Sequence, residues 1–349
     1  MRDLNAHSLR PGLSESAPTA VRWRPRGARL FSFALSAAIL AALYRRIDVR
    51  LIVHDLRSVD RVWLVISVGM IVPITLLRAI RFYLVAPRGT MPGIGEALRL
   101  TLVSSAANVF MPAKSGDLIK SYFLANGRWP SVGVSVAVVV YERLCDLVGL
   151  ITWCALGWFI ARPDVSGVPP ALWPLLGLFG ALCGVLVASE HVARLGSALV
   201  ARVLGGRWQR VQTLADGWPA LFRALGTRRG GVILLSLLLW LVHVIQIWMF
   251  TVTLSIQIPF TVCVSLTAVA LMIGQLPFAF AGLGARDVAL VVLMRGYVRP
   301  ESAAALGLLI ATRNLLPPLA ALAIVRPYVA RLATDVGLGV RAGSSPNEA

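Results

Sequence analysis

Apolar residues gather in long runs along this chain rather than alternating with polar ones, and six runs stand out, at 30–44, 62–86, 132–160, 172–188, 231–256 and 303–325. Continuous apolar runs of about 20 residues predict helices that cross a hydrocarbon layer about 30 Å thick. Within 62–86, Pro73 predicts a kink. Two further apolar stretches are interrupted. In 94–124, Pro112 and Gly116 disfavour a continuous helix, and in 262–294 the chain breaks around Pro277 and Gly282-Leu283-Gly284. Each flanking piece is too short to span by itself, so each stretch reads as two half-helices meeting at a broken, re-entrant tip. The order span, broken element, span occurs at 62–160 and again at 231–325. The predicted fold is therefore all-α and polytopic, with about six full spans and two broken elements in an inverted repeat, the arrangement of transporters with a midplane site.

Composition agrees that lipid is the solvent. Only 14% of residues are charged, 57% are hydrophobic and the mean hydropathy is +0.76, against about 25% charged residues in soluble proteins. The net charge is +18, and Lys114 and Lys120 are the only lysines among the cations. The arginines sit mainly between apolar runs, which predicts positive-inside topology rather than nucleic-acid binding. Arg194, Arg202, Arg207, Arg210, Arg223, Arg228 and Arg229 outnumber Glu190 and Asp216 in 190–230, whereas 161–170 balances Arg162 with Asp164. That asymmetry places 190–230 and both termini in the cytoplasm, in a cell inner membrane. The domain reading is a basic cytoplasmic tail at 1–28 and a membrane domain at 29–330. Within that domain 190–230, with Trp208 and Trp218, is an amphipathic surface segment. A cytoplasmic tail follows at 331–349. Cys145, Cys154, Cys183 and Cys263 lie in apolar segments, and the four histidines show no ligand spacing, so neither a disulfide framework nor a metal or cofactor site is expected.

Charge inside apolar runs carries the chemistry. Glu142, Arg143 and Asp146 share one span. A central Arg or Asp costs about 2.5–3.5 kcal/mol on insertion scales, so such residues avoid lipid. They predict either a polar cavity for a charged headgroup or a structural ion-pair network with Arg78, Arg81 or Arg286, and one cluster can serve both ends. Asn108, Lys114, Ser115, Asp117 and Lys120 surround the first break; Gln275, Arg286 and Asp287 surround the second. Lys114, Lys120 and Arg286 would neutralise a phosphate, with helix ends assisting. The alternative is ordinary loops whose charges meet interfacial water. Arg313-Asn314 reads as a structural partner for Asp287 or Glu142. Trp153, Trp158, Trp240 and Trp248 read as interfacial anchors or lipid-facing bulk. No nucleophile–base pair is evident. Charged side chains and broken backbone at this depth predict a shared hydrophilic chamber.

Asn108-x3-Pro112-x3-Gly116-Asp117, Glu142-Arg143-x2-Asp146, Pro277…Gly282-Leu283-Gly284-x-Arg286-Asp287 and the pair Arg78 and Arg81 together resemble the membrane domain of lysylphosphatidylglycerol synthases and the flippase-like proteins built from it. The resemblance covers about 30–325. It implies translocation of a lipid between leaflets, typically aminoacylated phosphatidylglycerol, or a polyprenyl-linked sugar in stand-alone members. Arg78, Arg81, Asn108, Lys114, Asp117, Lys120, Glu142, Arg143, Asp146, Arg286, Asp287 and Arg313 are then the candidate substrate-binding residues. Family members usually carry Glu at the positions of Asp117 and Asp287, and Arg at that of Lys114, so headgroup choice can differ. The chain ends at Ala349, leaving no room for the soluble aminoacyl-transferase domain, and is expected not to be an enzyme. Two rival expectations are a non-catalytic subunit that anchors a glycosyltransferase or aminoacyltransferase, and an ion-coupled transporter of small solutes. Expected partners are an anionic or polyprenyl-linked membrane lipid, a separate lipid-modifying enzyme, or a second copy of the chain.

Overall fold

The computed structural model describes residues 34, 37–42, 44, 45, 47–125, 130–163, 172–191, 194, 195, 209–275 and 284–342. All regular structure among them is helical. In chain order the α-helices are α1 (Val49–Arg57), α2 (Arg61–Gly69), α3 (Ile71–Val85), α4 (Ile94–Phe110), α5 (Leu118–Ala125), α6 (Val132–Ala161), α7 (Leu172–Ala188), α8 (Gln209–Leu225), α9 (Arg229–Thr253), α10 (Phe260–Ile273), α11 (Ala285–Leu293), α12 (Pro300–Leu322) and α13 (Arg326–Ala342). A 3-10 helix, Pro112–Asp117, joins α4 to α5.

Among the described residues, four helical stretches are long and apolar enough to cross a membrane: Arg61–Val85, Val132–Ala161, Gly217–Thr253 and Pro300–Leu322. Six were expected. Of the other two, 30–44 is described only in part, and α7 has 17 residues, a length of about 25 Å. The kink expected from Pro73 falls at Met70, where α2 gives way to α3 three residues before the proline. Proline has no N–H for the carbonyl four residues back, which weakens the ladder there.

One expectation fails. The 190–230 segment is not simply a surface helix, because the second half of α8 buries Trp218, Leu221, Phe222 and Leu225. Tyr141 of α6 packs on the rings of Trp218 and Phe222, and Gly217 approaches so closely that a Cβ would sit 2.2 Å from the Gly133 carbonyl. Here apolar burial overrides the basic composition; Trp208 is outside the described residues. Within 331–349, α13 runs to Ala342, so the first part of that segment is helical. The Tyr328 hydroxyl at the start of α13 donates to Glu96 at 2.8 Å, and burial, with that carboxylate, raises the tyrosine pKa to about 12.

Contacts between helix ends sort the connections to two sides of the bundle. On one side the Asp60 N–H donates to the Thr253 carbonyl, Asp55 accepts from Ser302 at 2.7 Å and from Arg299 at 3.2 Å, and Gly157 packs on Thr261 and Ser265. On the other, Gly217 meets Gly133 and Tyr328 meets Glu96. The unit α4, 3-10 helix, α5 begins and ends on the second side; α10 and α11 begin and end on the first.

Two apolar cores stack between these sides. One gathers Phe82, Leu100, Tyr141, Cys145 and Phe222; the other gathers Leu150, Phe250, Leu266, Leu290 and Leu306. Along α6 the inward face passes from the first core, through Glu142 and Asp146, to the second. Outside, the pattern inverts: Leu178 is 70% exposed whereas Asp146 is 2% exposed. Leu out and carboxylate in is the arrangement of a protein dissolved in lipid. Late in α12, Pro317 and Pro318 lie inside the helix.

Candidate functional site

Asp146 is the hub of the charged layer. Its Oδ1 accepts from Arg81 Nη1 of α3 at 2.6 Å and from Trp240 Nε1 of α9 at 3.0 Å, and its Oδ2 accepts from Arg143 at 3.4 Å. One turn earlier, Glu142 lies 3.6 Å from Arg81 Nε and accepts from Lys120 Nζ of α5 at 3.2 Å. The Lys120 ammonium also sits 4.7 Å from the centre of the Phe82 ring, a favourable placement for a cation with little water around it. Arg143 continues the chain of charges to Asp117, with which it forms an ion pair.

Asp117 closes the 3-10 helix and accepts from Asn108 Nδ2 at 3.0 Å. Gly116 allows this: a Cβ there would stand 2.5 Å from the Asn108 backbone nitrogen. The break thus folds its own polar residues back onto α4 and hands Asp117 to α6. Asn108 Oδ1 is buried without a partner among the described residues. The Lys114 side chain lies outside the described ones.

The second break uses a different construction. Arg286 donates through Nε and Nη2 to Oδ1 of its neighbour Asp287, at 2.9 and 2.6 Å, and Nη2 also reaches the Gly307 carbonyl of α12 at 3.1 Å. Asp287 Oδ2 accepts from the Gly284 N–H at 3.2 Å. Gly284 has φ of 87°, a backbone region that side chains disfavour. Gly307 lets the carboxylate press against α12, since a Cβ there would be 2.8 Å from Asp287 Oδ1. Gln275 Nε2, just before the break, is buried without a partner among the described residues. Pro277, Gly282 and Leu283 lie outside the described residues.

Arg313 was expected to meet Asp287 or Glu142. It does neither: Nη1 donates to Gln246 Oε1 of α9 at 3.1 Å, and the guanidinium also touches its neighbour Asn314 at 3.3–3.4 Å. Gln246 Nε2 in turn donates to the Ser67 carbonyl at 2.7 Å. Arg78, one turn before Arg81 and only partly exposed, forms no ion pair among the described residues, although it lies in the field of Asp146 and Glu142. Arg78 and Arg81 therefore differ in their partners. Positions three apart are about 60° offset around a helix, and here only Arg81 faces Asp146.

α9 supplies residues that the sequence reading missed. Trp240 is buried and donates to Asp146, so it is neither an interfacial anchor nor lipid-facing bulk. His243 stacks on Trp240 with centroids 4.8 Å apart and is bonded to the Leu239 carbonyl. Ser236, Trp240, His243 and Gln246 follow one another at spacings of four, three and three. That is one face of a helix, so a polar stripe was readable in an otherwise apolar run. The stripe links the first break, through Asp146, to Arg313, which lies within electrostatic reach of Arg286 and Arg78.

The candidates are therefore brought together inside the protein, with Arg81, Asp117, Lys120, Glu142, Asp146, Arg286, Asp287 and Arg313 all buried. Two surface pockets among the described residues, about 420 and 430 Å³, are lined by other residues, Glu96, Arg99, Tyr328 and Arg331 in one and Val49, His54 and Arg57 in the other. The described residues contain no group of His, Cys, Asp and Glu suited to a metal ion.

The family model described as Lysylphosphatidylglycerol synthase TM region matches residues 29–321. The chain belongs to that family. All the buried ionised residues above fall within the matched region, as do both helix breaks. Family membership makes this a membrane protein with a lipid-related role. No curated protein matches the chain.

Proposed function

We propose that this chain is a flippase-like lipid translocase that moves a phospholipid or lipid-linked headgroup between leaflets. The observation that carries the reading is the buried charged layer linking two broken helices that hang from opposite sides of the bundle. Keeping four cations paired in apolar surroundings is costly, and a polar layer between two apolar cores offers a headgroup a route while the acyl tails remain in lipid. The breaks act as re-entrant tips, one entered from each face, as in inverted-repeat transporters. On this reading the α4–α5 side and both termini face the cytoplasm across a cell inner membrane, an orientation that the arginine distribution supports. On this reading the chain itself carries out no aminoacyl transfer.

The test is leaflet translocation of labelled phospholipid by the purified chain in vesicles. Glu142→Ala and Arg286→Ala should each lower the rate at least about tenfold in protein that still folds, the size expected when one strong charged contact is lost. Rates equal to the parent overturn the site. A second reading is favoured by the close packing of the layer: the ion pairs lock helices in a non-transporting subunit that anchors a glycosyltransferase or aminoacyltransferase. A stable co-purifying enzyme, together with no translocation by the isolated chain, would establish that alternative.

A further inference from the structure

Among the described side chains of the layer, six cations face four carboxylates. Arg81, Lys120, Arg143 and Arg286 are ion-paired with Asp117, Glu142, Asp146 and Asp287. Arg78 and Arg313 have no carboxylate within ion-pair distance among the described residues, and Arg313 has only amide oxygens as partners. The nearby imidazole adds no negative charge. Counted over the described side chains, the layer thus holds two positive charges in excess between two apolar cores. Cations without a paired carboxylate in such surroundings favour an incoming anion.

We infer that the headgroup is a lipid phosphate with about two negative charges, a phosphomonoester or diphosphate, held by Arg78 and Arg313. The inference rests on the translocase reading for its biological role. Guanidinium forks match phosphate oxygens with paired hydrogen bonds. Arg78 is partly exposed, so a headgroup can reach it, while Arg313 lies deeper, 7% exposed. The same excess disfavours lysylphosphatidylglycerol, whose two amines outweigh its single phosphodiester charge. A lipid phosphate satisfies the site, whereas an aminoacyl lipid aggravates it.

The experiment is lipid retention by the full chain in neutral phosphatidylcholine nanodiscs, read by native mass spectrometry. The competing probes are dioleoylphosphatidic acid, a polyprenyl phosphate, phosphatidylglycerol and lysylphosphatidylglycerol. The expected result is that a lipid phosphomonoester is retained at least about tenfold more tightly than lysylphosphatidylglycerol. Whichever of phosphatidic acid and polyprenyl phosphate is held better identifies the source of the phosphate. The double variant Arg78→Gln/Arg313→Gln strands no carboxylate, so it should fold, as checked by thermal unfolding, and should lose the preference. Equal or better retention of lysylphosphatidylglycerol, no retention of any anionic probe, or an unchanged preference in the folded double variant overturns the inference. Selective retention without translocation in vesicles overturns the translocase reading alone, and preferential translocation of lysylphosphatidylglycerol overturns the charge argument alone.

Discussion

The two helix breaks solve the same problem in opposite ways. At the first, charge is shared among distant elements: Asp117 from the 3-10 helix, Lys120 from α5, Glu142, Arg143 and Asp146 from α6, and Arg81 from α3. At the second, Arg286 and Asp287 are sequence neighbours that satisfy each other and lean on the backbone of Gly284 and Gly307. The first break therefore ties helices together, while the second is nearly self-sufficient. A network of long-range pairs is cooperative and resists movement of any member; a local pair can travel with its own helix.

The largest expected effect probes that contrast. Asp146→Ala removes one acceptor from three donors on three helices and should destabilise the protein by about 3–5 kcal/mol. Removing the whole second pair, in Arg286→Met/Asp287→Ala, strands no charge and should cost only about 2 kcal/mol. Thermal unfolding in detergent compares them, and equal losses would show that the second break is no more self-contained than the first. Next in size, Trp240→Phe keeps most of the ring volume but deletes the N–H on Asp146, for about 1 kcal/mol; no change would mean that the indole packs without bonding. Smallest is Arg78→Gln. With no ion pair to lose, it should shift stability by less than about 0.5 kcal/mol or raise it, whereas Arg81→Gln should behave like a broken buried pair. A large loss at Arg78 would place that side chain in the network after all.

Much of this contrast was legible in the sequence. The long apolar runs mark α6 and α9 to within a few residues. Pro112 with Gly116 marks the first break, and Glu142 with Asp146 stands out because ionised groups are so costly in an apolar run. What remained hidden depends on contacts between residues far apart in the chain. Trp240 and Asp146 are 94 positions apart, and an aromatic residue in an apolar helix carries no sign of its donor's destination. The partner of Arg313 was misjudged for a related reason: charge complementarity favours a carboxylate, and Gln246 was inconspicuous without its stripe. The burial of α8 was hidden because the seven arginines of 190–230 dominate the charge of that stretch, while Trp218, Leu221 and Phe222 make the contacts.

The consecutive prolines of α12 have a mechanical consequence. Neither Pro317 nor Pro318 can donate to the carbonyl four residues back, so the oxygens of Arg313 and Asn314 lack helical donors. Two adjacent rungs are thus missing beside the deeper of the two unmatched guanidiniums. The lower segment of this rod is correspondingly soft, and flexing there would re-aim Arg313 while sparing the Gly307 end that steadies Arg286.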